Sequence, residues 1–314
     1  MGYRGAVEVD RSSYTLDDVL GMGLTLVPWD GRTPKPLVDS ENRVLGVLAG
    51  QPKDEGWAGV ATDAFDAIQD ERGRMSFSDK QVNHRRGDFP AVGVGVSYGG
   101  GQRAPGNLDH SELNRRALNR LLNRRSIIRI AGFGNRAFQM FAPKLHSFYE
   151  TELSHLYAEN PSLRQNFKGS VFPAITINLG NQVACIPHTD SANLAWGWCV
   201  ITALGDFDPK RSGHLILWDL GLVVEFPPGS TILIPSAILR HSNVRLQPGE
   251  SRSSVTQYAA AGLFRWVSNG FVSDKVLKAS DPEAFAERDA RRTCRWMKGL
   301  EMWSKLSDFT SQTE

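Results

Sequence analysis

The chain of 314 residues is 41% hydrophobic and carries a formal charge of only +2. That length and apolar content can bury one large core without disulfides or structural metal, and the near-neutral balance excludes capture of a polyanion by the overall field, leaving that task to a local patch. Three scattered cysteines, Cys185, Cys199 and Cys294, exclude a disulfide framework and a four-ligand zinc site.

The N-terminal run MGYRGAVEVDR has no apolar stretch of the signal-peptide kind and no Ser or Thr at position 6 for myristoylation. No later run approaches the roughly 18 apolar residues of a membrane span. The expectation is a soluble intracellular protein without membrane association, and nothing in the sequence calls for an obligate protein partner. Up to about residue 55 the text is broken by Gly, Pro and charge, with one strand-like run, Val44 to Leu48. A short amphipathic helix is expected from Trp57 to Arg72, followed by a turn-rich passage with the basic stretch Lys80 to Arg86.

Ala91 to Tyr98 alternates Val with Gly and runs into Gly99, Gly100 and Gly101, a strand opening into a flexible loop. Ser111 starts a helix with Leu113, Ala117, Leu118, Leu121 and Leu122 on one face, while Arg115, Arg116, Arg120 and Arg124 occupy the rest. That positive side reads either as a phosphate-gripping surface or as a solvated helix face. A second helical region, 137 to 159, carries Phe138, Phe141, Leu145, Phe148, Leu153 and Leu156, a spacing suited to lying on a sheet.

From Phe172 onward the pattern becomes short strands, at 172–179, 194–204, 213–219, 222–226, 230–235, 238–246 and 253–264, with turns at Pro227-Pro228-Gly229-Ser230 and Gln247-Pro248-Gly249-Glu250. Together they predict an α+β fold built on a double-stranded β-helix, a jelly-roll or cupin-like barrel, with supporting N-terminal and C-terminal helices. Pro282 opens a basic helix running to about Leu306. The division expected is a single catalytic domain over 1–314, with an N-terminal elaboration (1–90), a core with supporting helices (91–271) and a C-terminal helical extension (272–314).

An iron(II) that binds both a bidentate keto-acid and dioxygen leaves three positions for protein, and two imidazoles with one carboxylate fill them on one face. His188-Thr189-Asp190 offers two of these, since residues two apart at a strand end point the same way. His241, near the start of a late strand, offers the third. A His-x-Asp triplet alone is weak, and His241 alone reads equally as a turn histidine. Arg252, in a His-x10-Arg spacing from His241, enters an apolar strand where a guanidinium is costly to bury without an anion. Its planar fork suits the distal carboxylate of 2-oxoglutarate.

These residues bring the sequence close to a known group: it resembles the TET and JBP branch of nucleobase-oxidising dioxygenases, particularly the TET homologues of mushroom-forming fungi. The resemblance covers roughly residues 90 to 271 and is carried by GVGVSYGGGQ (93–102), FPAITINLGNQVACIPHTDSANLAWGWCVITALGDFDP (172–209), GHLILWDL (213–220), PPGSTILIPSAILRHSNV and RSSVTQYAAAGLFRWVSNGF. It implies iron(II) ligands at His188, Asp190 and His241, with 2-oxoglutarate and O2 as co-substrates and Arg252 on the former. It carries Ser254 and His214 over as further co-substrate contacts, while Asn178 is similar to the co-substrate asparagine of AlkB-type demethylases and reads equally as a strand-end cap. It implies that Asn193, followed by Gly197 in register, and Tyr258 face a flipped base. The pattern departs at Ala260, where the family has a base-reading histidine, and in lacking the family's cysteine-rich zinc region.

The implied activity is oxidation of 5-methylcytosine in double-stranded DNA to 5-hydroxymethylcytosine and further products, in the nucleus. N6-methyladenine demethylation by the same iron chemistry is the alternative, and a small-molecule 2-oxoglutarate oxygenase a further one. A methyl on a duplex base must be flipped out to reach a buried metal, and Arg115, Arg116, Arg120 and Arg124, with Lys80, Arg85 and Arg86, are the candidate grips on the phosphate backbone.

Overall fold

The computed structural model describes residues 11–310; the first ten, read above for targeting signals, lie outside the described residues. The described chain begins with α1 (Leu16–Gly21), β1 (Thr25–Val27), β2 (Lys35–Val38) and β3 (Val44–Gly50), then α2 (Trp57–Arg72) and α3 (Asp79–Val82). A hairpin of β4 (Asn83–His84) and β5 (Gly87–Asp88) leads to β6 (Ala91–Ser97) and β7 (Gly106–Asn107). Helices α4 (Glu112–Leu122), α5 (Arg125–Phe141) and α6 (Pro143–Glu159) precede β8 (Ala174–Asn178), β9 (Cys199–Asp206), β10 (Leu215–Leu217), β11 (Leu222–Val224), β12 (Thr231–Ile234), β13 (His241–Asn243) and β14 (Ser251–Tyr258). Helices α7 (Ala261–Ser268), α8 (Asp274–Ser280), α9 (Pro282–Ala290), α10 (Arg292–Glu301) and α11 (Ser307–Thr310) follow.

Eight strands form the larger sheet in the order β2-β3-β12-β9-β14-β8-β6-β7, and β1-β11-β10-β13 form the smaller. An antiparallel bridge between His188 and His241 extends the smaller sheet by one more segment. Ile201 of β9 on the larger sheet and Leu215 of β10 on the smaller line one cavity, so the two sheets face each other as a double-stranded β-helix.

Strand parity decides what faces in. On β14, Arg252, Ser254 and Thr256 reach the interior cavity. Their neighbours point outward to helices: the Ser253 hydroxyl accepts from Gln69 of α2 at 2.8 Å, and Gln257 donates to the Ala131 carbonyl of α5 at 3.1 Å. Helices α2 and α5 therefore cover the outer face of the larger sheet. Gly134 permits the close seating of α5, since a Cβ there would stand 2.4 Å from Val200 Cγ1.

Several boundaries differ from the sequence reading. The helical region expected over 137–159 is two helices broken at Ala142, because Pro143 has no N–H and takes the first position of α6, and α5 already begins at Arg125. The strand expected over 253–264 ends at Tyr258, with α7 starting at Ala261. Strand β9 begins only at Cys199, since the residues before it turn around the site. The helix expected from Pro282 to Leu306 breaks at Arg291. On α4 the buried side is Asn114, Ala117, Leu118 and Leu121, and Leu113 is 54% exposed. The helix is rotated so that Asn114 can bond both the N–H and the carbonyl of Ser76, at 3.0 and 2.7 Å. The N-terminal stretch is also more than elaboration: β3, buried throughout, lies between β2 and β12, and β1 pairs in parallel with β11.

Candidate active site

His188 and His241 are held by their own backbones. Each donates its N–H to the other's carbonyl, at 3.0 and 2.9 Å, which places the two rings 4.3 Å apart between centroids. The Asp190 N–H donates to Ser236 O at 2.8 Å and turns that side chain the same way. The ligand atoms of His188, Asp190 and His241 lie within 4.8 Å of one another, with His188 Nε2 4.0 Å from Asp190 Oδ1.

Each ring's Nδ1 lies against a carbonyl two residues back, Ile186 O at 2.8 Å and Leu239 O at 2.9 Å. That contact fixes the tautomer with the proton on Nδ1 and leaves Nε2 as a free donor atom. Burial holds both imidazoles neutral, with the second imidazole adding to the effect at His188. Burial alone would raise the Asp190 carboxyl, but the proton-competing imidazoles of His241 and His188 and the guanidinium groups of Arg86 and Arg85 together hold it below its ordinary value. Two neutral nitrogens and one carboxylate on one side suit a divalent iron that keeps three positions open.

Deeper in the same cavity stands Arg252, 1% exposed. One of its terminal nitrogens donates to Val183 O at 2.8 Å, its Nε has no partner among the described residues, and the guanidinium lies over the rings of Phe207 and Phe226 at 5.8 and 5.7 Å. Burial drives its pKa down to about 10. A buried guanidinium without a counter-ion marks a place for an anion. Ser254 shares the cavity and accepts from Asn178 Nδ2 at 2.8 Å, so its hydroxyl proton stays free to donate; Asn178 Oδ1 is without a partner. Both side chains follow from register, because Ser254 and Asn178 are direct partners across β14 and β8.

A second, wider hollow adjoins the first and shares Arg86, Asp190 and Thr256 with it. Its wall carries Lys80, His84, Arg85, Asn193, Tyr258 and Ala260. Burial raises the Tyr258 phenol, against a hydrogen bond to Thr176. Gly197 is not part of this wall; a Cβ there would fall 2.0 Å from Tyr149 Oη, so it admits that ring.

Two groups expected at the site are elsewhere. His214 is fully buried but is not part of the cavity wall: it shares strand parity with Ile216, whereas Leu215 faces the cavity. The four arginines of the α4 region stand on the outer side of the larger sheet, against α2, and are engaged by acids. Arg115 and Arg116 pair with Glu112, Arg115 also with Asp109, Arg120 with Glu71 at 2.6 Å and Arg124 with Asp63. The cations that line the hollow are Lys80, Arg85 and Arg86. Sequence reasoning missed Thr256, although its parity with Arg252 and Ser254 places it on the inner face, and it missed the contact of Arg85 with Asp190, for which the sequence holds no signal.

No protein-family model and no curated protein sequence matches the chain. Among solved structures it is similar to NgTET1 in complex with 5mC DNA, at 15% identity over 76% of this chain and 83% of that one with a TM-score of 0.46. It is also similar to an oxidoreductase of the 2OG-Fe(II) oxygenase family from Burkholderia pseudomallei, at 16% identity over 68% and 95% of the two chains with a TM-score of 0.37. At such identity the chemistry is read from the site's own residues.

Proposed function

We propose that this protein is an iron(II)- and 2-oxoglutarate-dependent dioxygenase that oxidises the methyl group of a base flipped out of double-stranded DNA, with 5-methylcytosine as the leading substrate and the nucleus as its place of work. The observation that carries the reading is one cavity holding both a His188, Asp190, His241 donor set within 4.8 Å and a buried Arg252 lacking an anionic partner.

In this reading His188 Nε2, His241 Nε2 and the Asp190 carboxylate hold the iron. Bound there, iron(II) supplies activation of dioxygen at the expense of 2-oxoglutarate. Arg252 fixes the far carboxylate of the co-substrate, and the free Ser254 hydroxyl proton donates to it. Ile201, Leu215 and Phe226 close the cavity with apolar surface and exclude bulk water. The neighbouring hollow receives the base, between Asn193 and Tyr258. Lys80, Arg85 and Arg86 on its wall meet the phosphates, which favours a polyanion over a small neutral metabolite.

A second reading, N6-methyladenine demethylation, draws on Ala260. Its small side chain lines the hollow where the resembled family has a base-reading histidine, which leaves one edge of a cytosine unread and room for a purine. Mass spectrometry of nucleosides after incubation with iron(II), 2-oxoglutarate and duplexes carrying either modified base tests both. Loss of the methylated nucleoside with the native chain, and none with His188→Ala or Asp190→Ala, is the expected result. Unchanged nucleosides in every duplex, or full turnover by either variant, would overturn the proposal.

A further inference from the structure

A chain of short contacts joins the metal-side carboxylate to the wall of the hollow. The Ser236 carbonyl accepts from the Asp190 N–H at 2.8 Å, and the Ser236 hydroxyl donates to Cys199 Sγ at 2.8 Å. The same sulfur accepts from Asn193 Nδ2 at 3.2 Å. Cys199 and Ser236 are 2% and 1% exposed, so neither contact competes with bulk water. The Asn193 backbone is tied as well: its N–H donates to Asp190 O at 2.8 Å and it bridges to Ala260. Asn193 is therefore held at its backbone and at one end of its amide. With one amide N–H held on the buried sulfur, the amide plane is fixed, and Oδ1, which can only accept, is the end of it turned away from Cys199.

We infer that Cys199 is a positioning residue that turns the Asn193 carbonyl toward the hollow, so that the site selects bases bearing an exocyclic amino group and refuses thymine. The inference rests on the function proposed above and narrows its substrate class. An amino N–H of 5-methylcytosine or of N6-methyladenine meets Oδ1 as a donor meets an acceptor. Thymine carries the same 5-methyl group in the same place, but presents a carbonyl where cytosine presents its amine. Two acceptors then face each other, both stripped of water and both unpaired, a mismatch of the kind that separates substrates strongly where shape does not. Shape cannot separate this pair, so the amide's orientation must.

The test uses duplexes identical except for one central 5-methylcytosine, N6-methyladenine or thymine. Two quantities are read on the full chain: equilibrium binding by the iron-free protein, and oxidation with iron(II) and 2-oxoglutarate. The native chain is expected to favour 5-methylcytosine over thymine by about 10–100-fold in kcat/KM, with binding differing in the same direction, and the two amine-bearing duplexes separate the sources of that donor. Cys199→Ala is expected to bring the ratio to within about threefold of unity, because the amide loses its anchor and turns freely, while the 2-oxoglutarate requirement and metal binding stay unchanged. Cys199→Ser, which keeps an acceptor in place, is expected to restore the ratio. A native ratio near one overturns the inference without any variant, as does Cys199→Ala that folds and still refuses thymine. Oxidation of no duplex at all would overturn the function itself and this inference with it, whereas oxidation of thymine and 5-methylcytosine alike would remove the inference and leave the function standing.

Discussion

Arg85 grips Asp190 from the tip of the β4–β5 hairpin, its guanidinium donating to the carboxylate at 2.8 Å and also to the Thr189 carbonyl. The arginine side chain is half exposed while the carboxylate is 16% exposed, so a surface element sets the orientation of the carboxylate proposed to hold the metal. Partners that orient a ligating carboxylate commonly govern metal affinity. Arg85→Gln is expected to weaken binding of cobalt(II), followed by titration calorimetry on the metal-free protein, by about 10-fold or more with an unchanged circular dichroism spectrum. Undiminished affinity would reduce Arg85 to a rim cation.

In the proposed function Arg252 ties the same cavity to co-substrate and to stability in opposite senses. Hydrogen bonds to charged groups are worth about 1.5–3 kcal/mol, so Arg252→Met should raise the 2-oxoglutarate concentration for half-maximal turnover by about 10–100-fold. It also removes an unpaired buried charge, so the unliganded variant should melt no lower than the native chain. The thermal shift on adding 2-oxoglutarate should shrink accordingly, and a shift of native size would move the anion site elsewhere.

His214 gives the protein an acid sensitivity of its own. Burial lowers its pKa to about 4, against the pull of Asp208 and the Ser212 backbone. The unfolded chain, with its imidazole near 6.5, therefore takes up the proton first, and stability present above about pH 6.5 is lost as the pH falls toward 4, by roughly 3 kcal/mol in full. Denaturant midpoints measured from pH 7 to 4 should fall less steeply for His214→Leu than for the native chain. Parallel slopes would exclude this residue as the source.

The two groups of cations should separate in a salt titration of DNA binding. Arg86→Ala is expected to reduce the slope of log K against log salt by about 1, whereas Arg116→Ala, paired with Glu112 on the far side of the larger sheet, should leave it unchanged. The reverse result would place the nucleic acid on α4.

What the sequence makes legible follows from how far each determinant reaches. The helix over Trp57–Arg72 is legible because Val60, Ala61, Ala64 and Ile68 repeat at helical spacing within the segment, and all four are buried. The end of β14 is not, since the run after Tyr258 stays apolar and the change of direction is marked by backbone pairing with a distant segment, such as Ala261 N–H with Ala192 O. His188, Asp190, His241 and Arg252 can be picked out as candidates because their side-chain types and spacing suit a metal and an anion, and the fold brings the four to one cavity. The acids facing Arg120 and Arg124 come from α2, far back in the chain, so a helical wheel shows charge where the fold shows pairs. Arg85 and Asp190 meet for the same long-range reason.

The place of β3 also governs how the molecule can be made. Its strand partners are β2, beside it in the chain, and β12, which leaves the ribosome only after the long stretch of helices and strands between them. Until then a wholly apolar segment, Val44–Gly50, has one open edge and no second neighbour. Nascent chains shorter than β12 are thus exposed to mispairing and aggregation, and the larger sheet can close around β3 only once β12 has emerged.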